Sequence, residues 1–143
     1  MGLASSSHSH CTLSFPAMEP HLHSIAIFVT DIRSAIAFYR DDLGLPLTKA
    51  GSFGAEFLEG PPHIGVHPAN HPESKKLVGR ETGITLHVPG LLHYCGILHD
   101  KGVRFLNEPT KQSWGIMAMI ADPDGNVIAL WEPPEESEGE QTA

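Results

Sequence analysis

The sequence predicts an α+β fold made of two copies of one βαβββ unit, and three observations carry that expectation. Two strand-like runs, "HSIAIFVT" and "GITLHVPG", are each followed at once by a segment whose apolar residues recur at helical spacing. Each helical segment stops at a glycine and gives way to short extended pieces punctuated by Gly and Pro. Both halves then read strand, helix, strand, strand, strand, and duplication of a supersecondary unit says more about architecture than any single element.

In the first half, "DIRSAIAFYRDDLG" has Asp31 as its N-cap candidate, Ile32, Ile36 and Tyr39 on one face, and Gly44 as its stop. The pieces "LPLTKAG", "FGAEFLEG" and "HIGVHPA" follow as strands, and a polar linker over 69–81 leads onward. In the second half, the helix "LLHYCGILHDKGV" sets Leu91, Leu92, Cys95 and Leu98 on one side and ends at Gly102. The strands "RFLNEP", "SWGIMAMIA" and "NVIALWEP" complete the unit. Between the last two, "DPDGN" is a turn: Pro123 fixes φ at its second position, Gly125 supplies a positive φ, and Asp122 can bond its own downstream backbone. The expected organisation is one domain over 21–133, with modules at 21–68 and 82–133.

A chain of 143 residues that is 41% hydrophobic and 18% charged suits a single globular domain, with no apolar run near the ~18 residues a membrane span needs. No membrane association is expected. Two cysteines, Cys11 and Cys95, make no disulfide framework and no secretory segment precedes them, so a reducing cytoplasm is the expected location. The net charge of −8 is concentrated at the carboxyl end: Glu132, Glu135, Glu136, Glu138 and Glu140 account for five acidic groups with no basic one among them. The rest holds 12 acidic against 9 basic residues and no Lys/Arg stripe, which argues against a nucleic-acid partner. Residues 134–143 read as a disordered acidic tail and residues 1–20 as a flexible leader. His8, His10 and Cys11 in that leader are donors for adventitious soft metal.

The segments "HSIAIFVTDIRSAIAFYRDDLGLPL" and "DPDGNVIALWEP" resemble the vicinal oxygen chelate superfamily of glyoxalase I, extradiol dioxygenases and the fosfomycin- and bleomycin-resistance proteins. The resemblance covers roughly residues 21–133 and implies a glyoxalase-like pair of modules curled into an incomplete barrel around a concave site, usually within a homodimer. Metal-using members place His or Gln on the first strand, Glu on the fourth, His on the fifth and Glu on the eighth, where a divalent ion takes two or more substrate oxygens. Carried onto this chain, those positions fall on His23, Gly65, Gly83 and Ala129. His23 is the only retained ligand, so no metal is expected at the family site and no cofactor is assigned. A divalent ion held by another ligand set stays open.

Side chains alternate faces along a strand. With His23, Gly65, Gly83 and Ala129 facing inward, the expected lining is His23, Ile25, Ile27, His63, His67, Thr85, Val127, Ala129 and Trp131, with His87 alongside. Ala26, Phe28, Ile128 and Leu130 then belong to the helix side, while Met117 and Met119 share one face of the seventh strand. Several of these residues have plainer readings: His63 and His67 as a solvated rim, Trp131 as core or dimer contact, the methionines as core fillers. His93, His99 and Asp100 read as surface, Tyr39 as core and Cys95 as an inert buried thiol, while Glu56 and Glu59 are the nearest carboxylates able to act as a base.

Such a lining holds no cation, which argues against an anionic glutathione adduct and suits a neutral or cationic molecule with an apolar or aromatic body. The favoured function is a metal-free small-molecule-binding protein of the sequestering or resistance type. The alternative is a metal-dependent lyase, isomerase or dioxygenase that joins His23 to His67 and a carboxylate. A domain retaining only dimerisation is a third reading.

Overall fold

The computed structural model describes residues 18–135; His8, His10, Cys11 and nearly all of the acidic tail lie outside the described residues. The first module contains β1 (Ser24–Val29), α1 (Ile32–Ile36) continuing into a wider helical turn (Ala37–Asp42), β2 (Leu47–Gly51), β3 (Gly54–Phe57) and β4 (His63–Pro68). After a short helix α2 (Pro72–Lys75), the second module contains β5 (Glu81–His87), α3 (Leu91–Asp100), β6 (Arg104–Gln112), β7 (Gly115–Ala121) and β8 (Val127–Glu132). The sheets have corresponding orders, β1-β4-β3-β2 and β5-β8-β7-β6, and in each the first strand runs parallel to the last while the other pairs are antiparallel. This is the expected α+β duplication, as two open mixed sheets not closed into a barrel. None of the described helices is long and apolar enough to cross a membrane.

Local chemistry explains both helices. Asp31 caps α1 by accepting from the Arg33 amide at 3.1 Å and the Ser34 hydroxyl at 2.8 Å. Those bonds, Ser34's first, hold its carboxyl below the usual range. The helix then widens, the Leu43 amide reaching back five residues to the Phe38 carbonyl at 2.9 Å, and adjacent Phe38 and Tyr39 are both buried. Helix α3 has no local side-chain cap, because Gly90 stands at its start. Glu132 supplies one from the end of β8: its carboxylate accepts from the Gly90 amide at 3.0 Å and the Leu91 amide at 3.2 Å, and these bonds lower its pKa.

One apolar core lies between sheets and helices. Ile27, Val29, Ala55, Phe57, Ile64 and Val66 enter it from the first sheet, and Ile84, Ala118, Ile120, Ile128 and Leu130 from the second. Phe38, Tyr39, Leu91, Cys95 and Leu98 close it from the helices.

The "DPDGN" turn does more than reverse the chain. Asp122 collects the Asp124 and Asn126 amides on one carboxylate oxygen, and the Tyr39 hydroxyl at 2.7 Å and the Asn126 amide group at 2.9 Å on the other. Asn126, fully buried, also donates to the Phe28 carbonyl and accepts from the Gly79 and Arg80 amides. Asp124 accepts from the amide and hydroxyl of Thr30, and Arg80 donates to the Ala26 carbonyl at 2.7 Å. The turn therefore clasps the second module onto the free edge of β1. Tyr39, expected to be plain core, is the buried donor in that clasp; burial first, then the Asp122 charge, pushes its phenol well above the ordinary value.

One expectation needs correction. The parity assumed for β1 is reversed: Ile25 and Ile27 pack on the core, Ile27 with no exposed surface, and Ala26 and Phe28 take the opposite face. The cause is that His23 stands before the strand rather than in it, since pairing begins at Ser24. The polar 69–81 linker has structure of its own. It contains α2, whose start is fastened by a reciprocal bond between His71 and Ser74.

Candidate functional site: the concave sheet face

Strand register determines which side chains share the face turned away from the core. Ser24, Ala26 and Phe28 of β1 stand beside His63, Gly65 and His67 of β4, and Glu56 of β3 stands beside Gly65. On the second sheet Thr85 and His87 stand beside Ala129 and Trp131, which in turn pair with Met119 and Met117. On the outward face, register sets His67 beside Phe28 in the first sheet, and Thr85 beside Ala129 and His87 beside Trp131 in the second, where Met119 and Met117 join them. Ile25 and Ile27 are absent from it, and Phe28, assigned to the helix side, is present.

The family's four-strand ligand set does not fit this face. Gly65, Gly83 and Ala129 carry no donor side chain. Gly83 sits at an irregularity of β5 with φ +77, where the Thr82 hydroxyl donates to the Val127 carbonyl at 2.6 Å and accepts from the Ile84 amide. The His23–His67 pairing does not form either. His23 lies against His63, ring centroids 5.2 Å apart, and residues 63 and 67 are separated by about 13 Å of strand.

The concave face has two distinct ends. At one, Phe28 and His67 form the floor of a groove of about 760 Å³, walled by Phe53, Pro68, His71 and Leu77. The His67 ring lies 5.9 Å from that of Phe28 and 6.3 Å from that of Phe53. Its Nδ1 is 3.0 Å from the Phe53 carbonyl, which can only accept, so Nδ1 is the donor of that bond and Nε2 is the ring nitrogen left for a ligand. The same ring folds back over Gly65: a Cβ added there would stand 2.8 Å from His67 Nε2. The imidazole thus occupies the level at which a side chain at 65 would stand. Phe53 and Leu77 are large apolar residues left exposed beside this groove. Lys76 supplies the one cation among the lining residues and is 3.3 Å from Glu73.

At the other end, His23, Glu56 and His63 converge, with one donor atom from each within 4.8 Å of the others. Glu56 was identified from sequence as a nearby carboxylate of undetermined facing, and its pairing with Gly65 places it here, whereas Glu59 is exposed. On the second sheet, Trp131 is half-buried, tilted against His87 at 5.4 Å and tied through its indole N–H to the Trp114 carbonyl.

Known proteins place this geometry. The chain is 27% identical to TnmS3, an antibiotic binding protein from Streptomyces sp. CB03234, with a TM-score of 0.67 over 82% of this chain and 98% of that one. A glyoxalase/bleomycin resistance protein/dioxygenase superfamily member from Sphaerobacter thermophilus is 25% identical, with a TM-score of 0.69 over 80% of this chain and 98% of that one. A glyoxalase/bleomycin resistance protein from Streptomyces sp. CB03234 is also 25% identical, with a TM-score of 0.57 over 78% and 99%. No curated protein sequence matches. The sequence model of one family covers residues 21–130, which takes in both modules and the clasp between them. The chain belongs to the Glyoxalase/Bleomycin resistance protein/Dioxygenase superfamily.

Proposed function

We propose that the chain is a small-molecule-binding protein of the sequestering or resistance type, which takes an apolar or aromatic ligand on its concave face without a metal at the family position. The observation that carries this reading is the groove at Phe28, Phe53 and His67, an aromatic-walled space on a face whose ligand positions hold glycine and alanine. Aromatic walls favour a flat apolar body through area and ring stacking, and His67 Nε2 offers one acceptor to orient a donor group on the ligand. The likeness to an antibiotic binding protein supports the same class of activity. The second sheet's Thr85, Val127, Ala129 and Trp131 would meet the far side of a larger ligand. A second copy of the chain would cover the half-buried Met117, Met119 and Trp131, so a homodimer is part of the proposal, as is a cytoplasmic setting.

Fluorescence titration with neutral N-phenyl-1-naphthylamine and cationic proflavine tests the groove. Saturable binding should weaken about tenfold in Phe53→Ala and in His67→Ala, the scale expected when a partly buried aromatic contact is lost. Both variants should keep the wild-type melting temperature within a few degrees. Absence of saturable binding, or binding indifferent to both substitutions, would remove the groove as the site; binding lost instead in Ala129→Leu would move it to the second sheet.

A further inference from the structure

The structure assigns a transition-metal site to His23, Glu56 and His63, at the end of the concave face opposite the groove. Its three donors come from the first module alone: the residue before β1, the middle of β3 and the start of β4. It shares only His23 with the positions carried over from the family.

Backbone pairing, rather than chance surface proximity, brings the donors together. The His63 amide donates to the His23 carbonyl at 2.8 Å, which pins residue 23 to β4 just ahead of the β1–β4 register. Glu56 pairs with Gly65, which has no side chain of its own, and the His67 ring reaches over that glycine from the groove end. Glu56 Oε2 lies 3.2 Å from His63 Nδ1, and both side chains are only 17% exposed. In a tetrahedral site with metal–ligand bonds near 2.1 Å, donor atoms stand roughly 3.4 Å apart. A mutual spacing within 4.8 Å therefore needs only small side-chain rotations.

Competing contacts are weak. Lys49 Nζ is 3.8 Å from Glu56 Oε1 and its side chain is 72% exposed, so the cation can move into water. The Leu58 carbonyl is 3.0 Å from His63 Nδ1. That contact is given up when Nδ1, the nitrogen facing Glu56, takes the metal. Two imidazoles and one carboxylate suit Zn²⁺, Co²⁺, Ni²⁺ or Cu²⁺ better than Mg²⁺ or Ca²⁺, which prefer oxygen donors. Three protein ligands leave a fourth position for water or for an oxygen of a bound molecule. His67 and His71, at the groove end, take no part.

The experiment uses the full chain carrying His8→Ser, His10→Ser and Cys11→Ser, which removes the leader's donors. Zn²⁺ affinity is measured by competition with a chromophoric chelator, and coordination is read from the visible bands of the Co²⁺-loaded protein. One equivalent of Zn²⁺ should bind and raise the melting temperature. His23→Ala should weaken binding by at least the roughly 10- to 100-fold that loss of an outer-shell partner costs, and Glu56→Gln by a similar factor, with loss of the Co²⁺ bands, while His67→Ala leaves both unchanged. Since His23 is exposed and lies outside the strand, its variant keeps the fold even if substitution of Glu56 disturbs it. No stoichiometric binding, or binding that survives His23→Ala, would overturn the assignment. The groove titration above is read without metal, so either result stands independently of the other.

Discussion

Asn126→Ala tests whether the clasp holds the two modules together. The Asn126 side chain is fully buried and bonds to four residues: it donates to Asp122 at 2.9 Å and to the Phe28 carbonyl at 3.1 Å, and accepts from the Gly79 amide at 2.9 Å and the Arg80 amide at 3.2 Å. Truncation leaves two backbone amides and one carbonyl without that partner and strips one donor from Asp122. Each buried polar group left unpaired costs about 1–3 kcal/mol. Water can reach the partly buried amides, so the lower part of each range applies and the sum is roughly 3–5 kcal/mol. Against a domain stability of about 5–15 kcal/mol, that is a large fraction. Urea unfolding followed by tryptophan fluorescence gives the change directly, and at roughly 4 °C per kcal/mol the melting temperature should fall by about 12–20 °C. Tyr39→Phe removes one hydrogen bond to a carboxylate and should cost about 1.5–3 kcal/mol. The double variant should fall short of the sum, because Tyr39 and Asn126 meet on the same Asp122 oxygen. A loss under about 1 kcal/mol for Asn126→Ala would show that the clasp is not what joins the modules.

Three further outcomes follow from the same geometry. Gly65→Ala should fold, because the atom its Cβ meets is the end of the His67 side chain, yet it should swing that ring aside and weaken dye binding roughly fivefold in the fluorescence titration, the worth of about one hydrogen bond. Glu132→Gln should lower the melting temperature at pH 7 by weakening the cap on α3. The wild-type carboxyl is held below its ordinary 4.5, so its contribution is present above that pH and is lost as pH falls through the folded value; the two melting curves should converge in acid. Burial, and secondarily Glu108, pushes the Cys95 thiol up to about 11. In a Cys11→Ser background, Ellman's reagent at pH 8 should label Cys95 only after unfolding. Above pH 9 the unfolded chain releases this proton while the folded one keeps it, so this group should make stability fall between about 9 and 11.

Much of the fold was legible because its signals are local. The Asp31 cap, the glycine stops at Gly44 and Gly102, and the "DPDGN" turn each act within a few residues, and the repeat of strand and helix order shows through their spacing. On β8, alternation also separates the fully buried Ile128 and Leu130 from the half-buried Val127 and Trp131. It failed on β1 because His23 was taken as a strand residue, which flipped every assignment after it. The β-branched Ile25, Ile27 and Val29 alternate with Ser24, Ala26, Phe28 and Thr30, and the apolar Phe28 and Ala26 blur the contrast that would mark the parity.

What only the tertiary structure decided are contacts between residues far apart in the chain. Glu132 capping a helix that begins at Leu91, Asn126 bonding Phe28, and Glu56 meeting His23 and His63 depend on register between strands and modules. No periodicity within a segment encodes that register. The groove has the same origin: Phe28, Phe53, His67 and Leu77 come from four separate stretches, and it forms where the end of β1, the β2–β3 turn, β4 and the segment after α2 meet. By itself, the sequence determined the elements and the duplication. Long-range pairing decided which side chains stand together, because hydrogen bonds between strands set facing and neighbours at once.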